Sequence, residues 1–162
     1  MNLTDIVKGV EQVVPEMKAT TRWEAIDELI DVLVKTGQVK DDQRAAVTEA
    51  VKKRETSMST GIGLGIGIPH APSELIADVV GAFGRSAKGI NFDSLDNQPV
   101  NLVMLFVVPK GQFQKHLYTL ANIAKILHDR EFRRRLETAP SAEEILRVIR
   151  DHEKQISADQ KK

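Results

Sequence analysis

An apolar run from Val100 to Val108 constrains the fold of this chain more than any other segment. Only Asn101 interrupts it, and Pro109-Lys110-Gly111 ends it. The run is too short to cross a bilayer. It is typical of a strand that is buried on both faces, at the centre of a sheet with helices above and below. We therefore expect an α/β fold built around this strand.

The N-terminal region has the periodicity of helices. Thr21 and Glu24 fit a capping box at the start of a first helix, and Gly37 is placed to end it. A second helix is expected over about residues 41–55, ending in a charged segment. The residues predicted to face the core are Trp23, Ile26, Ile30, Leu33, Val47, Ala50 and Val51.

Strand patterns occupy the middle of the chain, and helical patterns return after it. Strands are expected over residues 62–68 and 78–87, and a helix over 114–127, with Leu117, Leu120, Ala124 and Leu127 on its apolar face. Asp129 and Ser141 are placed to cap two further helices. We predict a mixed β-sheet flanked by helices on both faces in a single domain, residues 1–152, followed by a polar, frayed tail, residues 153–162.

Composition limits the classes of function. Lys plus Arg number 23 and Asp plus Glu number 23, so the net charge is zero. Surfaces for nucleic acid or anionic membranes need a basic excess, so we expect neither partner. The absence of cysteine excludes disulfides, thiolate nucleophiles and iron–sulfur clusters. The N-terminus has no signal-peptide pattern, and we expect a cytoplasmic protein without direct membrane insertion.

The most distinctive candidate for chemistry is His70. Glycines alternate with apolar residues from Gly61 to Ile68, and the histidine then stands in Pro69-His70-Ala71-Pro72. The prolines stiffen the backbone on both sides, and the glycines leave room for a ligand or partner to approach. A stiffly mounted histidine beside an open surface suits a nucleophile. A hydrogen-bonded, inert core histidine at a strand end is an equal alternative from spacing alone.

Other chemistries lack their patterns. The histidines do not form an H-x-x-x-H or H-E-x-x-H motif, so we expect no metal. The glycine run has neither a Gly-Lys-Ser/Thr ending nor the dinucleotide fingerprint, and no nucleophile elbow is present, so we expect no cofactor. His128 and His152 lie in charged stretches and are expected to face solvent.

Arg54 and His116 are candidate helpers of His70. Arg54 ends the second predicted helix, just before the glycine segment, although a solvated arginine bound to the last helical carbonyls is the more ordinary interpretation. His116 falls in the first turn of a helix, where a neutral imidazole could donate a hydrogen bond to a phosphoryl oxygen. A polar residue bordering the apolar face is its alternative.

These residues also resemble a known family. The pattern is similar to the type 2 EIIA domains of the bacterial phosphoenolpyruvate-dependent phosphotransferase system, the fructose/mannitol class that includes the nitrogen-regulatory EIIA protein. The resemblance covers roughly Leu3 to Asp151. Ala71-Pro72 departs from it, because glycine-bearing versions are expected after the histidine. The segments that match are Gly61–His70, Gly89–Phe92, Asp96–Val100, the strand that ends at Pro109, and His116-Leu117.

The resemblance implies a type 2 EIIA fold and a phosphotransferase activity. His70 corresponds to the phosphorylated histidine, Arg54 to the phosphate-binding arginine and His116 to the second active-site histidine. The implied donor is the histidine phosphocarrier protein. The implied acceptor is an EIIB component in sugar uptake or a regulatory target in nitrogen or metabolic control.

Alternative functions stay open at this point. The chain is a carrier in sugar uptake, a regulatory module whose phosphorylation state controls partner choice without onward transfer, or a degenerate domain that is not phosphorylated. The chain contains no EIIB or membrane EIIC domain; if it is the full gene product, its solitary occurrence favours regulation. Leu64, Ile66 and Ile68 are candidates for an apolar rim for partners around His70; the alternative is that alternate residues of this set face the core, as at least half of them are expected to do. The basic run Arg133-Arg134-Arg135 is either a docking site for an acidic partner or a solvated helix face.

Overall fold

The computed structural model describes residues 2–160, except for the side chains at positions 113, 115 and 160. The helices are α1 (Leu3–Ile6), α2 (Arg22–Lys35), α3 (Arg44–Ser57), α4 (Phe113–Leu127), α5 (Arg130–Thr138) and α6 (Ala142–Gln160). The strands are β1 (Val13–Val14), β2 (Gly61–Gly63), β3 (Ile66–Gly67), β4 (His70–Ser73), β5 (Val80–Ile90) and β6 (Val100–Pro109).

The predicted central strand is β6, and it organises the sheet. The strand order is β1-β5-β6-β3-β2, and β4 also pairs with β6. β5 runs antiparallel to β6, whereas β3 and β4 run parallel to it along its other edge. The predicted mixed sheet is confirmed.

Side chains of β6 alternate between two apolar cores. Leu102 and Phe106 pack with residues of α4, α5 and α6, whereas Val103 and Val107 pack with residues of α2 and α3. Each face of the strand therefore buries apolar surface against helices, and this burial is the main contribution to stability. The prediction of helices on both faces of the sheet is confirmed.

Most predicted helix ends are observed. Thr21 accepts a hydrogen bond from the backbone N–H of Glu24 at the start of α2, and Gly37 has a positive φ of 78° just after that helix. Asp129 caps α5 by accepting from the N–H of Phe132, and Ser141 accepts from the N–H of Glu144. These side chains satisfy N–H groups that have no partner within the helix.

The glycine segment differs from the strand predicted over residues 62–68. It forms a hairpin, in which β2 and β3 pair antiparallel around a turn at Leu64 and Gly65. Both turn residues have positive φ, 60° and 78°, as a type I′ turn requires. Glycine at position 65 makes that conformation accessible, and Leu64 adopts it at a steric cost.

Other expectations need smaller corrections. Residues 153–160 continue α6 as helix rather than a frayed tail, and the domain boundary at residue 152 stays a prediction. Leu117 is exposed rather than on the buried face of α4. His128 is exposed as predicted, but His152 is half-buried and stacks on Phe132, with ring centroids 4.1 Å apart. Trp23 is partly buried and packs against the core, and the Arg22 guanidinium lies over its ring.

Candidate functional site

His70 is the first residue of β4 and lies beside the centre of the sheet. It pairs with Phe106 of β6, whose N–H donates to the carbonyl of Pro69 at 3.2 Å. The imidazole is only 5% exposed and stacks on the Phe106 ring at a centroid distance of 5.4 Å. The rigid mounting that the flanking prolines predicted is therefore reinforced by strand pairing and by ring stacking.

One ring nitrogen of His70 is held by the backbone. Nδ1 lies 2.8 Å from the carbonyl oxygen of Ile68. A carbonyl oxygen only accepts, so Nδ1 is assigned the proton, and the neutral ring then has its lone pair on Nε2. Burial lowers the pKa of His70 below its ordinary value of 6.5; the bond to Ile68 raises it, and the charge of Arg54 lowers it. The neutral, nucleophilic form is thus favoured.

Arg54 lies in the last turn of α3 and acts electrostatically on His70. Its Nη1 donates to the carbonyl of Met58, the residue that caps this helix, at 3.1 Å. The alternative considered for Arg54, a hydrogen bond to a carbonyl at the end of its helix, is therefore observed. Arg54 is half-buried as a residue, and its charge is close enough to lower the pKa of the His70 imidazole.

His116 occupies the first turn of α4, as predicted. Its backbone N–H donates to the backbone carbonyl of Gln112 at 3.2 Å, and the side chain is buried. The turn that leads from β6 into this helix is fixed to the end of β4 by a bond from the N–H of Lys110 to the carbonyl of Ser73, at 3.0 Å. The end of β4, the strand of His70, therefore lies beside the end of β6, from which the chain leads into α4, the helix of His116. The catalytic role of His116 stays a prediction.

Sequence reasoning missed Glu55 and Thr60. The Glu55 carboxylate is 1% exposed and accepts hydrogen bonds from both the N–H and the hydroxyl of Thr60. Burial raises the pKa of Glu55 above its ordinary value of 4.5, against the effects of those bonds and of the charges of Arg22 and Arg54. In sequence, Glu55 ends a charged segment, which is typical of a solvated helix end; only its adjacency to Arg54 marks it.

The predicted apolar rim is wrong for two of its three residues. Ile66 and Ile68 are buried in the core, because β3 and the segment after it face inward. Leu64 is exposed at the hairpin tip, where the neighbouring Gly65 carbonyl accepts from the N–H of Asn101 at the start of β6. His70 instead pairs near the end of β6. Exposed apolar side chains also lie a few residues after each site residue in sequence. These are Met58 after Arg54, Leu75 after His70, and Leu117 and Tyr118 after His116.

The basic run on α5 is engaged locally. Arg134 pairs with Glu131, and Arg133 donates to the carbonyl of Leu127 at 2.9 Å. These contacts support the interpretation of a solvated helix face. Within residues 2–160, no group of three or more acidic or histidine side chains is arranged to hold a metal ion, and no helix is long and apolar enough to span a membrane.

Comparisons with known proteins concern the family and the fold of the chain. The family model described as "Phosphoenolpyruvate-dependent sugar phosphotransferase system, EIIA 2" matches residues 8–152. A fructose-specific EIIABC component of Bacillus subtilis is 40% identical over 129 residues, which are 80% of this chain but 20% of that protein. A fructose-specific EIIA component of Haloferax volcanii is 35% identical over 92% of this chain and 97% of its own length.

A second group of relatives is named for regulation. A nitrogen regulatory protein of Escherichia coli is 45% identical over 108 residues, 66% of each chain. The crystal structure of the nitrogen regulatory protein IIA-Ntr from Neisseria meningitidis covers 87% of this chain and 94% of its own, at 28% identity and a TM-score of 0.78. The Escherichia coli mannitol enzyme IIA, solved in complex with phosphorylated enzyme IIB, shares the fold, at 23% identity, 88% and 96% coverage and a TM-score of 0.74.

Proposed function

This chain belongs to the EIIA 2 family of the phosphoenolpyruvate-dependent sugar phosphotransferase system, and we propose that it is a phosphohistidine carrier in which His70 accepts the phosphoryl group. The observation that supports this most is the state of the imidazole. Its Nδ1 is held by the Ile68 carbonyl, its pKa is lowered by burial, and the charge of Arg54 acts on it. A neutral ring with a fixed tautomer is ready to attack phosphorus.

The transfer exchanges one nitrogen–phosphorus bond for another. The Nε2 lone pair of His70 attacks the phosphorus of a donor phosphohistidine in line with the bond that breaks, and the donor ring recovers its electron pair. Nδ1 keeps its proton throughout, and its N–H donates a hydrogen bond to the Ile68 carbonyl. That bond stabilises the positive charge that the His70 ring gains once Nε2 is phosphorylated.

Arg54 and His116 supply stabilisation for the moving group. Charge accumulates on the equatorial oxygens of a loose transition state, so fixed donors around it lower the barrier. Arg54 offers a planar, permanently charged donor to those oxygens. His116 offers a neutral donor beside the N-terminal turn of α4, where the helix dipole favours anions. Loss of the Arg54 guanidinium should cost about one to two decades in rate.

The partners follow from the chemistry of the carrier. The proposed donor is the histidine phosphocarrier protein, and the proposed acceptor is an EIIB component, with the exchange taking place in the cytoplasm. By this reaction the chain is a phosphotransferase. A regulatory role is the second candidate, in which the phosphorylation state selects a target protein without onward transfer. The 45% identity to a nitrogen regulatory protein supports this regulatory role as the second candidate.

Reconstitution tests the proposal. The chain is incubated with phosphoenolpyruvate, enzyme I and the histidine phosphocarrier, and its intact mass is compared with that of His70→Ala and of His128→Ala, which removes an exposed histidine. We expect one acid-labile phosphate on the unchanged chain and on His128→Ala, and none on His70→Ala. Phosphate on His70→Ala would overturn the proposal. Subsequent addition of an EIIB domain separates transport from regulation, because only a transport carrier discharges to it.

A further inference from the structure

Glu55 is a buried carboxylate that has no role in the phosphoryl transfer described above. It follows Arg54 directly in α3 and is almost fully enclosed. Its two oxygens lie 3.0 Å from the Thr60 nitrogen, and 3.0 and 2.9 Å from the Thr60 hydroxyl oxygen. Burying a carboxylate is costly unless it is fully hydrogen-bonded, so a neutral or apolar side chain would be a cheaper filling for this position. Its presence calls for a reason beyond packing.

The first connection runs from Glu55 to the nucleophile. Thr60, whose N–H and hydroxyl bind the carboxylate, accepts at its carbonyl from the N–H of Ile68, at 3.0 Å. The Ile68 carbonyl in turn accepts from Nδ1 of His70, at 2.8 Å. A continuous series of hydrogen bonds therefore joins the carboxylate, through Thr60 and Ile68, to the ring nitrogen that sets the tautomer of His70.

The second connection runs from Glu55 to the cation. The Arg54 guanidinium donates to the carbonyl of Met58, two residues before the threonine that the carboxylate holds. The segment from Met58 to Thr60 is thus tied to the end of α3 by the Glu55 side chain. It presents one carbonyl to Arg54 and another to Ile68.

We propose that Glu55 is a positioning residue for phosphoryl transfer, which holds the segment from Met58 to Thr60 so that Arg54 and the imidazole of His70 keep their relative aim. The inference rests on the proposed function, because it concerns the rate at which His70 accepts phosphate. Glu55 acts through Thr60 and touches neither the phosphoryl group nor the ring. Phosphoryl transfer depends on positioning, so small displacements of these two groups reduce the rate strongly.

The test measures single-turnover transfer from the phosphorylated phosphocarrier at several donor concentrations. In Glu55→Ala we expect the maximal rate to fall about ten- to a hundredfold, with an unchanged half-saturating donor concentration. In Glu55→Gln the amide oxygen still accepts from the Thr60 N–H and the amide nitrogen donates to its hydroxyl, so most of the rate returns. Glu49→Ala, an exposed carboxylate of the same helix, is the matched control and should transfer at the unchanged rate.

A spectroscopic measurement separates positioning from general loosening. Nitrogen-15 spectra of the imidazole should show a proton fixed on Nδ1 of His70 in the unchanged chain and in Glu55→Gln, and a mixture of tautomers in Glu55→Ala. Should Glu55→Ala not fold, Thr60→Val replaces it, with Thr60→Ser as its control. Thr60→Val loses the hydroxyl donor and should be slowed, whereas Thr60→Ser keeps both donors and should not be.

The outcomes are distinct. A folded Glu55→Ala, or failing that Thr60→Val, that transfers at the unchanged rate with an unaltered His70 spectrum would overturn the positioning role. A Glu55→Gln as slow as Glu55→Ala would overturn it as well, because hydrogen bonding would not restore the rate. If the unchanged chain itself takes no phosphate, the proposed function fails before the role of Glu55 is reached.

Discussion

At residue 70, burial favours the neutral form of the imidazole, and the backbone carbonyl of Ile68 orients the ring. The flanking prolines indicated a rigid mounting from sequence alone. The stacking on Phe106 and the bond to the Ile68 carbonyl could not be predicted in the same way, because the first depends on the pairing of β4 with β6. Local stiffness can be predicted from neighbouring residues, whereas the burial that lowers the pKa of His70 depends on contacts made across the sheet.

The lowered pKa of His70 predicts a pH dependence of stability. The unfolded imidazole binds a proton near its ordinary pKa of 6.5, while the folded one does so only at lower pH. The free energy of unfolding should therefore decrease as pH falls below about 6.5, because the unfolded state takes up the proton first. Urea unfolding at a series of pH values should show this decrease, and His70→Gln should lack His70's share of it. An identical slope in both proteins would contradict the pKa assignment.

Arg54 should be sensitive to geometry as well as to charge. Arg54→Lys keeps the positive charge but not the planar, forked donor, so its transfer rate should lie between those of the unchanged chain and Arg54→Ala. Arg54→Ala should be about ten- to a hundredfold slower. Single-turnover transfer measures both, with Lys53→Ala, an exposed neighbouring cation, as the control. Equal rates for Arg54→Ala and Lys53→Ala would remove Arg54 from the site.

Among the elements, those with strong periodicity were predictable and the glycine hairpin was not. The apolar run became β6, and the capping patterns located the starts of α2, α5 and α6. The alternation of glycine and apolar residues suits a strand equally well, and nothing in the order of residues shows that Leu64 would take a positive φ. Two hydrogen bonds hold the turn. The N–H of Leu64 donates to the Asp96 carboxylate at 3.2 Å, and the Gly65 carbonyl accepts from the N–H of Asn101 at the start of β6.

Close packing of the hairpin predicts a costly substitution at Gly67. A Cβ at this position would lie 2.9 Å from ring carbons of Phe92, which is itself fully buried. Gly67→Ala should lower the free energy of unfolding by about 1–3 kcal/mol. In the control Gly9→Ala, the atoms nearest to the new Cβ belong to the carboxylate of Glu11, the far end of an exposed, flexible side chain. Chemical denaturation compares the two, and equal stabilities would refute the packing argument.

For the whole molecule, the sheet divides two apolar cores and leaves the site near one end of its central strand. His70 pairs near the end of β6, and His116 lies in the helix that β6 leads into. In the proposed function, a partner protein exchanges the phosphoryl group at this end of the sheet. The mixed sheet and its covering helices were predictable from patterns. The apolar rim around His70 was not predicted correctly, because Ile66 of β3 and Ile68 in the segment after it face the core.

Tyr118 is the best candidate for contact with a partner. It is 81% exposed and stands two residues after His116 on α4. An exposed aromatic side chain gains buried area on docking, so Tyr118→Ser should raise the half-saturating concentration of the phosphocarrier about tenfold, with little change in the maximal rate. Leu95→Ser removes an exposed apolar side chain from the loop before β6 and is the control. Equal donor dependence in the two variants would exclude Tyr118 from the interface.

The central claim is that the phosphoryl group is carried on Nε2 of His70. The most direct measurement is phosphorylation by phosphoenolpyruvate, enzyme I and the histidine phosphocarrier, followed by fragmentation mass spectrometry and phosphorus-31 NMR of the intact product. We predict a single phosphate on the His70 peptide, with the chemical shift of an Nε2-phosphorylated ring, since Nδ1 is held by Ile68. Phosphate on another histidine, on Nδ1 of His70, or on no residue would contradict the account.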